Sequence, residues 1–101
     1  MATNPRSKNG AKRREIRRWL MHTQDTCALC GKPIDKTLKT PHPMSAEVDE
    51  IIPVSKGGSP YDRDNVQLVH RICNQRKGNK IYREGERVPA SAKPLPTSRE
   101  W

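Results

Sequence analysis

Four side chains have the types and the spacing to hold a soft metal ion. Cys27 and Cys30 form a C-x-x-C pair in DTCALCGKP, a stretch that reads as a tight turn, and Gly31 lets the chain fold back behind it. His70 and Cys73 form an H-x-x-C pair at the start of a predicted helix, where positions three apart share one face. Cys₃His is a tetrahedral structural zinc set, and with every position filled no site is left open for water. The set uses all three cysteines of the chain. Three thiols cannot all form disulfides, and a redox C-x-x-C calls for a βαβ setting that the sequence lacks. Three buried free thiols are the plain alternative, which so poor a core disfavours. Helical spacing adds Asn74 and Lys77 to the stripe of His70 and Cys73, so a zinc ion there would also fix the direction of Asn74. Asp49 and Glu50 taken alone read as an exposed acidic pair at a strand end.

The elements that must position these residues are short. From Lys12 to Met21, Ile16, Trp19 and Leu20 make one apolar stripe, while Lys12, Arg13, Arg14, Arg17 and Arg18 cover most of the rest. Such a helix is either a solvated amphipathic element or one that docks by its stripe and offers a basic face to nucleic acid. His22 suits the negative end of that helix. Residues 34–45 read as loop, and residues 46–52 (AEVDEII) as a strand stopped by Pro53. Residues 55–60 are a turn, and Val66 to Val69 a second extended segment. A helix is predicted from His70 to Lys77, ended by Gly78. The order helix, cysteine turn, hairpin, helix gives an α+β fold. Residues 1–9 are expected to be a disordered basic N-terminus, 10–82 the folded domain, and 83–101 an extended or disordered tail.

At 101 residues with 32% hydrophobic content and no Phe, the chain supports one small domain that needs a staple. No stretch resembles a signal peptide or a membrane span, so a soluble, cytoplasmic protein with reduced thiols is expected. The net charge of +9 is uneven. Residues 1–22 carry seven Lys/Arg against one acid, residues 23–70 five against seven, and residues 71–101 eight against three. Basic flanks around a mildly acidic centre suit a phosphate backbone and a bound cation, although charge runs also serve solubility alone.

The run EVDEIIPVSKGG from Glu47 to Gly58, then DNVQL from Asp64, then HRICNQRKG from His70, resembles the HNH endonuclease family over about residues 27–80. The family pattern is a strand ending in Asp-His-Ile-x-Pro, a glycine-containing turn, an Asn-Leu segment and a helix bearing Cys-Asn-x-x-Lys, often with a zinc knuckle. The resemblance implies a small zinc-stapled ββα-metal (His-Me finger) domain with a basic N-terminal helix. It implies a Mg²⁺- or Mn²⁺-dependent endonuclease or nickase acting on DNA. Asp49 then supplies a carboxylate ligand to the catalytic ion, Asn74 an amide ligand, and Asn65 shapes the loop through backbone hydrogen bonds. Arg71, Arg76 and Lys77 hold phosphates, together with Arg13, Arg14, Arg17 and Arg18 of the first helix.

One departure stands out: the family's first His, its general base, is Glu50. Glu50 is then the base, or a metal ligand, or the mark of a protein that mainly binds DNA; alternatively His42 supplies the base. Asp49 and Glu50 face opposite sides of an ideal strand, so they share one centre only if the strand distorts or ends there. Small members of this kind are frequent in phages, which implies a phage-encoded enzyme in the host cytoplasm, working in DNA packaging beside a terminase. A catalytically weak or inactive zinc-stabilised DNA-binding module is the alternative, and a protein-interaction zinc module a third reading. A monomer is favoured.

Overall fold

The computed structural model describes residues 5–83 and 85–92, with side chains described from Gly10 onward. Its order is helix α1 (Pro5–Thr23), strand β1 (Ala46–Glu50), single 3₁₀ turns at Val54–Lys56 and Arg63–Asn65, strand β2 (Val66–His70) and helix α2 (Arg71–Lys77). This is the expected α+β order.

Helix α1 starts well before the apolar stripe. Residues 5–9, read as disordered, lie inside it, and residues 1–4 fall outside the described residues. Pro5 has the fixed φ suited to a first helical position, and the basic residues and Ala11 are good helix formers that need no apolar partner. The stripe docks as its spacing predicts: Ile16 and Leu20 are buried, and Trp19 and Met21 pack partly against the same core. The helix closes with Thr23 Oγ1 donating to Trp19 O at 2.8 Å.

β1 and β2 pair antiparallel, with Val48 opposite Leu68 and Asp49 opposite Gln67. β1 stops at Glu50, two residues earlier than the run of β-branched residues suggests. The connection between the strands is tied together by Asn65. Its Oδ1 accepts the Ile52 amide at 2.9 Å, and its Nδ2 donates to Ile52 O and Ser59 O, each at 3.0 Å. Gly58 passes so close that a Cβ would fall 1.7 Å from Ile52 O, so only glycine fits the turn that Asn65 closes. The outer edge of β2 is covered by the cysteine turn: Ala28 N donates to Leu68 O at 3.1 Å, and Gln24 Oε1 accepts the Leu68 amide at 2.9 Å.

The core is small: Ile16, Leu20, Leu29, Val48, Val66, Leu68 and Val69 are its main apolar members. The sequence shows no core pattern after Tyr82, but the described residues there do reach the core. Val88 is buried and donates its amide to Leu29 O at 2.9 Å. A lone apolar residue among Gly and Pro shows no periodicity, which is why the sequence hides this strap; residues 93–101 lie outside the described residues. Among the described residues no helix is long and apolar enough to cross a membrane.

Candidate active site and metal centre

Cys27, Cys30, His70 and Cys73 converge, their ligand atoms all within 4.8 Å of one another. The set can be tested against zinc. Bonds of about 2.3 Å to sulfur and about 2.1 Å to nitrogen, at the tetrahedral angle, put N and S about 3.6 Å apart. His70 Nδ1 lies 3.3 Å from Cys30 Sγ and 3.8 Å from Cys73 Sγ, on either side of that value. The tautomer follows from the other ring nitrogen. His70 Nε2 sits 3.2 Å from Pro33 O, and a carbonyl only accepts, so Nε2 carries the proton and Nδ1 turns its lone pair to the thiols.

The thiols share charge in the same sense. The hydrogen bond from Cys73 lowers Cys27 to about 4, with the backbone amides of His70, Leu29 and Cys30 helping and burial opposing. That contact, burial and the neighbouring sulfurs push Cys73 up. The donors fit zinc, which favours thiolates over thiols.

The backbone around the cluster builds the start of α2. His70 is its N-cap, but the imidazole is committed to the cluster and makes no cap bond. The orphan amides go elsewhere: His70 N to Cys27 Sγ at 3.3 Å, Arg71 N to Ser45 O at 2.9 Å, and Ile72 N to Pro43 O at 2.8 Å.

From there α2 crosses the face of β1 that carries Glu47 and Asp49. Asn74 Nδ2 donates to Glu47 Oε1 at 2.6 Å. Lys77 Nζ, one turn on, donates to Asp49 Oδ1 at 3.0 Å and to the Glu50 carbonyl at 2.8 Å. Gln67, opposite Asp49 in the ladder, donates to Asp49 Oδ2 at 2.9 Å. Arg71 Nη1 lies 3.5 Å from Glu47 Oε2. Asp49, Glu50, Asn74 and Lys77 are all buried. In this seam Asn74 Oδ1 is buried and accepts no hydrogen bond. A carboxylate and an amide oxygen on facing elements are hard donors, the kind Mg²⁺ and Mn²⁺ take.

The other expected site residues fall in different places. Strand alternation assigns Glu50 to the Val48 face, away from Asp49, although β1 ends at that residue. Asn65 spends its side chain on backbone groups of the connection. His42 is exposed, and its Nδ1 accepts the Met44 amide of its own loop at 3.0 Å. Arg14 and Arg18 are exposed on α1, whereas Arg13 and Arg17 are half-buried and Arg17 Nη1 donates to Ala46 O at 3.2 Å. Arg71 and Lys77 face carboxylates inside the molecule, and Arg76 is half-buried. Glu47 and Gln67 were not singled out from the sequence. Two-residue alternation from Asp49 points to Glu47; Gln67 emerges only from the strand register.

A hairpin crossed by a short helix, stapled by a Cys₃His cluster, defines a small ββα-metal domain. The HNH endonuclease family matches residues 27–80, and the chain belongs to that family. It is also similar to the CRISPR-associated endonuclease Cas9 of Corynebacterium diphtheriae, 40% identical over 53 residues. That stretch is 52% of this chain and 4% of the relative, so the chain spans a small part of the Cas9 length. No solved structure matches.

Proposed function

We propose that the chain is a metal-dependent DNA endonuclease that nicks one strand per encounter as a monomer. The observation that carries this reading is the buried, unbonded Asn74 Oδ1 on the helix that faces the Asp49 carboxylate. Asp49 and Asn74 would hold Mg²⁺ or Mn²⁺, and an ion held there stabilises the charge that builds on the phosphate during cleavage. Lys77 must yield at least part of its hold on Asp49 for this. Glu50 takes the place of the family's His. Its carboxylate accepts the proton of the attacking water, which requires the strand end after Glu50 to open toward Asp49. Zinc at Cys27, Cys30, His70 and Cys73 is structural.

The test is plasmid relaxation by the full chain with Mg²⁺, Mn²⁺ or chelator, beside Asp49→Ala and Glu50→Ala. Metal-dependent nicking lost in both variants is the expected result. Loss in Asp49→Ala alone moves the base elsewhere, with His42 next in line.

A second reading has its own observation. Glu50 is buried and Asp49 is already engaged by Lys77, an arrangement that also suits a zinc-stabilised DNA-binding module with weak or no catalysis. DNA that is shifted but never cut under any divalent ion would establish it. A phage-encoded role in the host cytoplasm, in DNA packaging beside a terminase, rests on resemblance; co-purification with terminase subunits tests it.

A further inference from the structure

Glu47 has no role in the function proposed above, yet it is bonded to the residue on which that function turns. We infer that Glu47 is a positioning residue: it fixes the Asn74 amide so that Oδ1, and not Nδ2, is the atom presented to a divalent cation. This deepens the reading of Asn74 as a ligand and rests on it.

The argument is one of donors and acceptors. A terminal amide has two ends of similar shape, and only the oxygen can ligate a cation. A side-chain amide without a specific partner turns over readily, so half of its orientations would offer NH₂ to the ion. An ionised carboxylate can only accept. Placed 2.6 Å from Asn74, Glu47 Oε1 therefore selects the NH₂ end and leaves Oδ1 turned away from it. The outcome is visible: Oδ1 is buried and accepts no hydrogen bond. Glu47 is itself held. Its Oε2 lies 3.5 Å from Arg71 Nη1, and Arg71 precedes Asn74 by one helical turn, so both reach the same carboxylate from one face of α2. The Glu47 side chain is 14% exposed and the Arg71 side chain 25%, so water competes little for the arrangement. The strand does the rest. Glu47 and Asp49 are two apart on β1 and share a face, so the residue that orients the amide and the residue that supplies the carboxylate are set at a fixed spacing.

The test uses the full, zinc-loaded chain and Mn²⁺ as the probe, with affinity read from the EPR signal of free Mn²⁺. Wild type, Asn74→Ala, Glu47→Ala, Glu47→Gln and the double variant Glu47→Ala/Asn74→Ala are compared. Outer partners of metal ligands change affinity by about tenfold or more, and that loss is expected for Glu47→Ala. Glu47→Gln keeps an acceptor oxygen of the same reach and is expected to restore most of the affinity. The double variant is expected to bind no more weakly than Asn74→Ala, because Glu47 acts only through the amide. Additive losses would instead make Glu47 a ligand in its own right and overturn the inference. Wild-type affinity in Glu47→Ala overturns it too, while leaving Asn74 as a ligand intact. Equal Mn²⁺ affinity in wild type and Asn74→Ala removes the reading of Asn74 itself. A metal-free readout needs no variant to fold: in ¹⁵N-labelled wild type the Asn74 side-chain NH₂ should show one proton shifted downfield by the short carboxylate bond. Two amide protons at the ordinary shifts of a solvated Asn side chain, with neither moved downfield, would contradict the inference.

Discussion

Lys77 brings a full positive charge into a buried site, and the seam between α2 and β1 is built to receive it. The ammonium bonds Asp49 Oδ1 at 3.0 Å and the Glu50 carbonyl at 2.8 Å, with both side chains closed to solvent. Removing one partner of a buried pair leaves the other charge buried without its counter-charge. Lys77→Ala is therefore expected to destabilise the fold by about 3–5 kcal/mol, read from urea denaturation of the zinc-loaded protein. Replacing both partners, as Asp49→Asn with Lys77→Met, should recover most of that loss, since the charge and its answer go together. A single variant as stable as wild type would show that the ion pair is not carrying the seam. Asp49 and Asn74 are named through the family resemblance of the runs that carry them, since residue type and spacing alone read Asp49 as an exposed acid at a strand end and only set Asn74 on the stripe of His70 and Cys73. Lys77 could be placed on the same stripe, but not inside the protein: a lysine is expected at the surface, and only the crossing of α2 over β1 shows that this one faces a carboxylate.

At the scale of elements, α2 is the part that cannot stand alone. Its seven residues are fewer than an isolated helix needs, so its geometry comes from what grips its ends. The first amides are taken by Cys27 Sγ, Ser45 O and Pro43 O, and the next turns by Glu47 and Asp49 through Asn74 and Lys77. The metal cluster and the candidate active site are thus two ends of one short helix. Chelation of zinc, or Cys73→Ser, is expected to melt α2, lower the far-ultraviolet helical signal and abolish any Mn²⁺-dependent nicking; a folded and fully active Cys73→Ser protein would refute the coupling. The hairpin connection depends in the same way on Asn65. Asn65→Ala strands the Ile52 amide and removes the donor to two carbonyls, an expected loss of about 1–3 kcal/mol on thermal or urea denaturation. The order of elements and the ends of α2 were legible because caps, glycines and metal-ligand spacing are local signals. The early start of α1 at Pro5 and the burial of Val88 were not. The first needs no apolar stripe, and the second depends on a partner, Leu29, far away in sequence.

For the whole molecule, the sequence shows two basic flanks but cannot say which cations face outward, and packing decides that. On α1 the face beside the core stripe is occupied by its own neighbours: Arg63 stacks on Trp19 at 4.8 Å and lies 3.8 Å from Glu15, and Lys12 sits over Tyr61 at 5.3 Å. Arg17 is drawn inward to Ala46 O. Arg14 and Arg18, one turn apart, point away from the buried Ile16 and Leu20 and remain exposed. Among the described side chains of α1, these are the two that the proposed function would set against phosphates. Binding of a short duplex should then weaken with salt, each neutralised phosphate contributing about −0.9 to the slope of log Kobs against log salt. The double variant Arg14→Ala/Arg18→Ala should flatten that slope by about two, measured by fluorescence anisotropy across a sodium chloride series. Arg17→Ala should leave the slope unchanged and instead cost about 0.5–1.5 kcal/mol of stability through the lost bond to β1. If the double variant keeps the wild-type slope, the phosphate-binding face lies elsewhere, and the basic residues after His70 become the next to test. If Arg17→Ala flattens the slope as much as the pair does, the Arg17 guanidinium must leave Ala46 O when DNA binds, because in the docked helix that half-buried side chain is tied to β1.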